Sequence, residues 1–147
     1  MYQNPEKELK RYGLGGKFSV KKGYYRLDTE KAVYPEFLIS VKSRDGVLRV
    51  AGQIDLLIKD GNDIIIIDFK TNKKIDRKSY YNKSTKRYEC LKYPLNTIQD
   101  CNLMHYTLQL SMYAYLLQQI NPDLNIKMLK LIHIDHSNKV EEIEVEY

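Results

Sequence analysis

The nine residues IIIIDFKTN, Ile64 to Asn72, decide how the rest of this chain is read. Four consecutive isoleucines form a β-branched run of strand length, and an unbroken apolar run of this kind reads as a strand buried on both faces. The run passes without a turn into Asp68, Phe69 and Lys70. In a strand, residues two apart share a face and stand roughly 6.5–7 Å apart. Asp68 and Lys70 therefore project together, while Phe69 is expected to turn the other way, into the core. An acid and an amine at the end of the most apolar segment need a reason.

Upstream, Asp60-Gly61-Asn62 is a turn, and the strand before it, Val47 to Lys59, carries Asp55 inside the otherwise apolar AGQIDLLIK. A second turn, Arg44-Asp45-Gly46, joins that strand to an alternating, β-branched one at Val33 to Ser43, since Asp-Gly supplies the positive φ angles a tight hairpin needs. Three consecutive antiparallel strands make a meander. Pairing symmetric about Gly61-Asn62 sets Asp55 opposite Asp68 and within one pair of Lys70. Leaving such charges buried and unpaired would cost several kcal/mol, so they pair or they bind something. A structural Asp-Lys bridge uses one acid only. Two acids and one base leave net negative charge, which suits a hard divalent cation: Mg²⁺ takes one or two carboxylates and completes its shell with water and substrate phosphate.

Downstream, residues 72–102 form a long connection rich in turn formers, of the length that in compact domains is functional or mobile. Between Asn72 and Tyr93 lie eight basic residues against Asp76 and Glu89, a net +6. The candidates for contact with a polyanion are Lys73, Lys74, Lys78, Lys83, Lys86 and Arg87. Their interleaving with Tyr80, Tyr81, Tyr88 and Tyr93 suits a polyanion that also has flat faces, which describes nucleic acid; a merely solvated basic surface is the plainer reading. Leu103 to Ile120 follows as a helix closed by Asn121-Pro122, and then Ile126 to Asp135 and Val140 to Tyr147 as strands joined at His136-Ser137-Asn138. The order β-β-β-α-β-β is an α+β arrangement.

On the helix, Gln109 and Tyr113 are i and i+4 and share a face with Asn102, His105, Tyr106 and Leu116, while Thr107, Ser111, Ala114 and Gln118 form the opposite, more polar face. Gln109 reads either as a half-buried amide bonded to a loop or as part of the site. His133 and His136 read as ordinary strand-end residues.

A chain of 147 residues is the length of one domain, so residues 1–147 are expected to be one unit. Residues 1–32 are its weakly patterned opening, where Asn4-Pro5-Glu6 could start a helix that Gly13, Gly15 and Gly16 would end. With 43% hydrophobic and 29% charged residues the composition is that of a globular protein. The two cysteines, Cys90 and Cys101, lack the spacing and number for a zinc or iron-sulfur site. No charged-then-apolar leader and no run of ~20 apolar residues is present, which predicts a soluble cytoplasmic protein without a membrane partner. In that compartment the Asn82-Lys83-Ser84 sequon is a chance match.

Gly52-x-x-Asp55, twelve intervening residues, and Asp68-Phe69-Lys70-Thr71 resemble the core motif of the PD-(D/E)xK nucleases. Gln109-Leu110-Ser111-Met112-Tyr113 resembles the QhxxY motif of their RecB-type exonuclease branch, of the kind phages encode. The resemblance spans about Val33 to Ile120, and the strand from Ile126 also fits. It implies a restriction-endonuclease-like core with a mixed central sheet, and a Mg²⁺ or Mn²⁺ ion held by Asp55, Asp68 and the Phe69 carbonyl. Lys70 would hold or polarise the attacking water; Gln109, beside it, would contact substrate or the site, and Tyr113, one turn on, would stack or hydrogen-bond where the nucleic-acid strand enters. Where the family has a further acidic or histidine ligand before the first strand, this chain offers Glu36 or Glu30. Otherwise the chain is a piece of a longer polypeptide whose first helix supplies the ligand. The iron-sulfur cluster of some RecB-type relatives has no cysteines here to hold it.

The expected function is a metal-dependent DNA nuclease, an exonuclease of recombination, repair or replication acting on single-stranded or duplex ends, within a larger assembly or alone, in the host cytoplasm if phage-encoded. Two other readings compete: a degenerate nuclease fold that binds nucleic acid without cutting, and a module whose basic loop meets an acidic protein. Joint retention of Asp55, Asp68 and Lys70 argues against decay.

Overall fold

A computed structural model of the chain describes the backbone of residues 18–21 and 24–27, and residues 31–147 other than 44, 46 and 48. The helix start expected at Asn4-Pro5-Glu6, the glycines after it, and Glu30 lie outside the described residues. Two short strands, β1 (Phe18–Lys21) and β2 (Tyr24–Leu27), pair antiparallel. The main sheet is built from β3 (Lys31–Lys42), β4 (Arg49–Asp60), β5 (Asp63–Lys70), β8 (Asn125–Ile134) and β9 (Val140–Val145), in the spatial order β3-β4-β5-β8-β9. Between β5 and β8 come a miniature hairpin, β6 (Tyr81–Asn82) and β7 (Arg87–Tyr88), and the helix α1 (Asn102–Ile120). The fold is α+β with a mixed sheet: β5 and β8 run parallel and every other neighbouring pair antiparallel.

Local chemistry explains this order. Gly61, at φ +62, supplies the turn that lets Asp60 pair with Asp63, since a two-residue hairpin loop needs positive φ. A parallel pair cannot be joined by a tight turn and needs a crossover, which α1 provides. The parallel register is pinned at its start: the Asn125 side chain donates to Asp63 Oδ1 at 2.8 Å, Lys127 Nζ reaches Asp63 Oδ2 at 3.3 Å, and Asn125 N donates to Asn62 O at 2.8 Å. These bonds hold the exposed Asp63 carboxyl below the usual carboxylate range, the Asn125 bond most of all.

One contiguous core joins Leu57, Ile64, Ile66, Leu129 and Leu131 of the sheet to Leu110, Ala114, Leu116 and Leu117 of α1. Three of the four opening isoleucines are buried, Ile64, Ile66 and Ile67, and Ile65 is half-buried. Two expectations fail here. Phe69 does not enter the core; it is 42% exposed, because nothing among the described residues closes over that end of β5 on its side. Ala114 is fully buried rather than on a polar face, because the inward stripe of α1 runs along Leu110, Ala114 and Leu117, leaving Gln109 and Tyr113 at its rim.

The strands β3 and β4 break their alternation together. Buried positions step by three from Tyr34 to Phe37 and from Ile54 to Leu57. Between them the Glu36–Asp55 pair is missing from the ladder, and Glu36 has φ 49. A non-glycine residue at positive φ is uncommon and locally strained.

Leu57 is completely buried and pairs with both Tyr34 and Ile66. Leu57→Ala is expected to cost about 2–5 kcal/mol in urea unfolding with an unchanged denaturant slope. Val33→Ala, at an exposed position of β3, should stay within about 0.5 kcal/mol.

Candidate active site

Asp68 ends β5 on the side facing the core, with almost no exposed surface. Its Oδ2 stands 2.6 Å from Lys70 Nζ, a charge-assisted contact. It is a buried carboxylate whose partner among the described residues is that one ammonium. Burial pushes its pKa up, the Lys70 ammonium pulls it back, and the nearby Asp55 charge adds a further push upward.

Asp55 comes in from β4. The β4–β5 ladder ends at the Leu56–Ile67 pair, and the register continued by one step sets Asp55 across from Asp68, as the turn symmetry predicts. Past that point the strands are joined by a side chain: Phe69 N donates to Asp55 Oδ2 at 2.8 Å. One carboxylate thus takes a backbone N–H while the other is paired with an ammonium.

Lys70 is held from three directions. Besides Asp68, its Nζ donates to Gln109 Oε1 at 3.2 Å and lies 4.4 Å from the centre of the Tyr106 ring, a cation–π distance. Gln109 uses its other end as well, donating from Nε2 to Tyr113 OH at 3.1 Å. The Tyr113 ring in turn occupies the space over Gly52, where a Cβ would come within 2.6 Å of Cε1. Glycine is needed there for close approach, which gives the first residue of the Gly52-x-x-Asp55 spacing a physical role.

Three residues beyond the expected set complete the seat. Asn72 Nδ2 donates to Tyr106 OH at 2.6 Å, and the Asn72 carbonyl accepts from His133 Nε2 at 2.8 Å. A carbonyl only accepts, so that ring nitrogen carries the proton. His133 is buried, pairs in register with Lys70, and turns Nδ1 toward Glu141 Oε2 at 3.8 Å, while Arg77 holds Glu141 Oε1 at 2.8 Å. It is therefore a core residue tied to the end of β5, not an ordinary strand-end histidine. Its signal was present in the sequence: it continues the buried alternation Leu129, Leu131 along β8. His105, by contrast, is exposed and bonded to Asp100 at 2.6 Å, away from Lys70.

The remaining candidates are not gathered at this point. Glu36 is exposed at the break in β3, and among the described residues no three His, Cys, Asp or Glu side chains come together to hold a metal. Lys73, Lys74, Lys78, Lys83, Lys86 and Arg87 are all exposed. Lys74 pairs with Asp76 at 2.7 Å; the other five make no ion pair among the described residues. Both cysteines are free thiols, and among the described residues no helix is long and apolar enough to cross a membrane.

A hard divalent cation fits the donors that are present. Asp68 and Asp55 offer two carboxylates against one ammonium, and an ion that keeps much of its water shell needs few protein ligands.

The model of the PD-(D/E)XK nuclease superfamily matches residues 6–146. The chain belongs to the PD-(D/E)XK nuclease superfamily. No curated protein matches it. A solved structure described as "Crystal structure of SSO0001" is similar at 19% identity and a TM-score of 0.45, covering 78% of this chain and 41% of that one. The chain thus spans about two fifths of that protein's length.

Two outcomes follow from the packing and charge of the site. Gly52→Ala should displace the Tyr113 ring and cost about 1–3 kcal/mol, a loss expected to vanish in a Tyr113→Ala background when the two changes are combined in a double-mutant cycle. The second concerns pH. A carboxyl whose folded-state pKa is raised stabilises the fold below its unfolded pKa and loses that contribution as pH rises through the folded value. In metal-free buffer, wild type should therefore gain stability relative to Asp68→Asn as pH is lowered from neutrality toward the ordinary carboxyl value of 3.8. Unfolding curves of the pair that stay parallel across this range would contradict the assignment.

Proposed function

We propose that this superfamily member is a divalent-metal-dependent nuclease that hydrolyses phosphodiester bonds in DNA. Within the superfamily we assign it to the RecB-type exonuclease branch, acting in recombination, repair or replication in the cytoplasm, the host's if it is phage-encoded. The observation that carries the reading is that two carboxylates, the buried Asp68 and the neighbouring Asp55, share the single Lys70 ammonium. A structural ion pair needs one acid per base, whereas here the second acid leaves a surplus of negative charge that a divalent cation would neutralise.

In this reading Asp55, Asp68 and the Phe69 carbonyl hold Mg²⁺ or Mn²⁺. The bound ion supplies Lewis acidity and a lowered pKa for its water. The Lys70 ammonium faces the same spot and offsets charge that builds on the phosphate oxygens in the transition state. Its reach is fixed by Gln109 Oε1 and the Tyr106 ring, so little reorganisation is needed when the charge develops. Gln109 spends both ends of its amide inside the protein, on Lys70 and Tyr113, which makes it a positioning residue for the lysine. Lys73, Lys74, Lys78, Lys83, Lys86 and Arg87 supply the electrostatic track for the phosphate backbone. Glu36 remains a candidate third ligand if β3 shifts when metal binds.

Incubation of single-stranded and duplex DNA with and without Mg²⁺ tests the activity. Asp68→Asn and Lys70→Ala are each expected to reduce cleavage by well over tenfold, more than ~1.4 kcal/mol of transition-state stabilisation, with the fold retained. Asp55→Ala should abolish calorimetric Mg²⁺ binding. Gln109→Ala should keep metal affinity and slow cleavage by about ten- to a thousandfold. Nucleic-acid binding without metal-dependent cleavage in the intact chain would instead identify a non-cleaving module.

A further inference from the structure

The connection after β5 is an ordered miniature meander. Its middle segment is bonded on both sides: Glu89 N donates to Tyr80 O at 2.9 Å, Asp100 N to Glu89 O at 3.0 Å, and Leu91 N to Ile98 O at 2.9 Å, with Cys90 and Gln99 forming an antiparallel bridge. The first tip, residues 83–86, is closed by Asn82 Oδ1, which accepts from Ser84 N at 3.0 Å and Thr85 N at 3.2 Å, and by Lys86 at φ 53. The second tip, residues 92–97, is closed by Leu95 N donating to Lys92 O at 2.9 Å. In a meander the two turns lie at opposite ends, so the tips are separated by the length of the middle segment, roughly 13 Å from Arg87 to Leu91 at ~3.3 Å per residue. The base is fastened to the start of α1, where Leu103 N donates to Asp76 O at 3.1 Å, and to β9 through Arg77 and Glu141 at 2.8 Å.

Aromatic side chains stand on both faces of this ribbon. Tyr81 and Tyr88 are a cross-strand pair on one face, with ring centres 5.1 Å apart at 66°. Tyr80 is next in line and therefore on the other face. Cross-strand packing accounts for Tyr81 and Tyr88, because such pairs steady a hairpin. It does not account for Tyr80, which is 68% exposed, or Tyr93 at the second tip, 87% exposed. Neither ring feeds a core. Around them Lys78, Lys83, Lys86, Arg87 and Lys92 are exposed and make no ion pair among the described residues.

We propose that Tyr80 and Tyr93 are stacking platforms for unpaired bases, so that the meander takes a single-stranded segment of nucleic acid whose phosphates lie along its unpaired cations. The charge calls for a polyanion. The exposed rings narrow the choice to one with free flat faces, since paired bases stack on one another and present a face only at a duplex end. The proposal deepens the nuclease reading by naming the substrate's form and rests on its nucleic-acid half, but it does not depend on cleavage.

Fluorescence anisotropy in EDTA tests it on the intact chain, with a labelled single-stranded oligonucleotide, the same sequence as a blunt duplex, and an abasic strand of equal length. The single strand should bind at least about tenfold more tightly than the abasic strand. Tyr80→Ala/Tyr93→Ala should erase most of that difference while leaving the slope of affinity against salt unchanged. Lys83→Ser/Lys86→Ser/Arg87→Ser should do the opposite, flattening the slope by up to about two while keeping the preference for bases. Equal affinity for the ordinary and abasic strands, or an unchanged preference in the tyrosine variant, overturns the proposal. Failure of all three ligands to bind overturns it as well and gives the meander to a protein partner. Digestion of the same oligonucleotides in Mg²⁺ reports separately on the nuclease reading, because a chain that cleaves with no preference for bases loses only the stacking platforms.

Discussion

The burial of one carboxylate at the end of β5 is the constraint around which this molecule is arranged. Asp68 is pushed toward protonation by desolvation, and the fold carries that cost because the flanking residues pin the strand. Ile64 and Ile66 anchor it in the core, and Asn125 and Lys127 fix Asp63 at its other end. The metal-holding role proposed for Asp68 would need support of this kind. Had Lys70 been a simple counter-ion, its contact with Asp68 would suffice. Instead it is also held by an amide from α1 and by a ring face whose hydroxyl is bonded to Asn72. β5 and α1 meet at one ammonium, and Asn72 and His133 brace the Tyr106 ring from the residues after β5 and from β8.

Topology makes that convergence possible. Because β5 and β8 are parallel, the chain has to cross over between them, and the crossover delivers α1 to the face of the sheet that carries Asp68 and Lys70. The helix then approaches β4 closely at one place, Gly52, where the Tyr113 ring fills the volume of a missing side chain. Gly52, Gln109 and Lys70 are thus mechanically linked through Tyr113, although they are distant in sequence. The break in β3 and β4 at Glu36 and Asp55 works alongside this link. It ends the β4–β5 ladder where the carboxylate, rather than a backbone carbonyl, takes the Phe69 N–H.

What could be read from the sequence was what short-range chemistry dictates. The Gly61-Asn62 turn fixed the pairing of β4 with β5, and with it the meeting of Asp55 and Asp68. The isoleucine run and the helical period located β5 and α1 to within a residue or two. Side-chain direction was less legible wherever it depended on a neighbouring layer. The alternation of β5 sends Phe69 to the far face, but only tertiary structure says whether that face is covered. Gln109 and Tyr113 share a helix face, yet the centre of the buried stripe is set by Leu110, Ala114 and Leu117, and the polar pair occupies its rim. The alternation Leu129, Leu131, His133 marks the ring as buried, but its partner, the Asn72 carbonyl sixty-one residues away, was not legible. The meander lacked a period long enough to see, with pairings of two or three residues held by turn chemistry.

The position of Gln109 at the rim bears on how such a site divides its labour. An amide can donate and accept at once, and here both capacities are used within the protein, one on the lysine and one on Tyr113. Gln109 therefore cannot recognise a substrate without releasing something it positions. Asp55 and Asp68 lie on the sheet and the Lys70 ammonium is partly enclosed, which leaves little at the site itself to grip a long polyanion. On the proposed reading the grip comes from outside it, from Lys73, Lys78, Lys83, Lys86 and Arg87, which make no ion pair among the described residues and stand on the segment that continues directly from β5. The same nine residues that open the site thus also lead out of it: Ile64 to Ile67 anchor the strand, Asp68 and Lys70 carry charge into the interior, and Asn72 both steadies the lysine's ring and begins the basic connection.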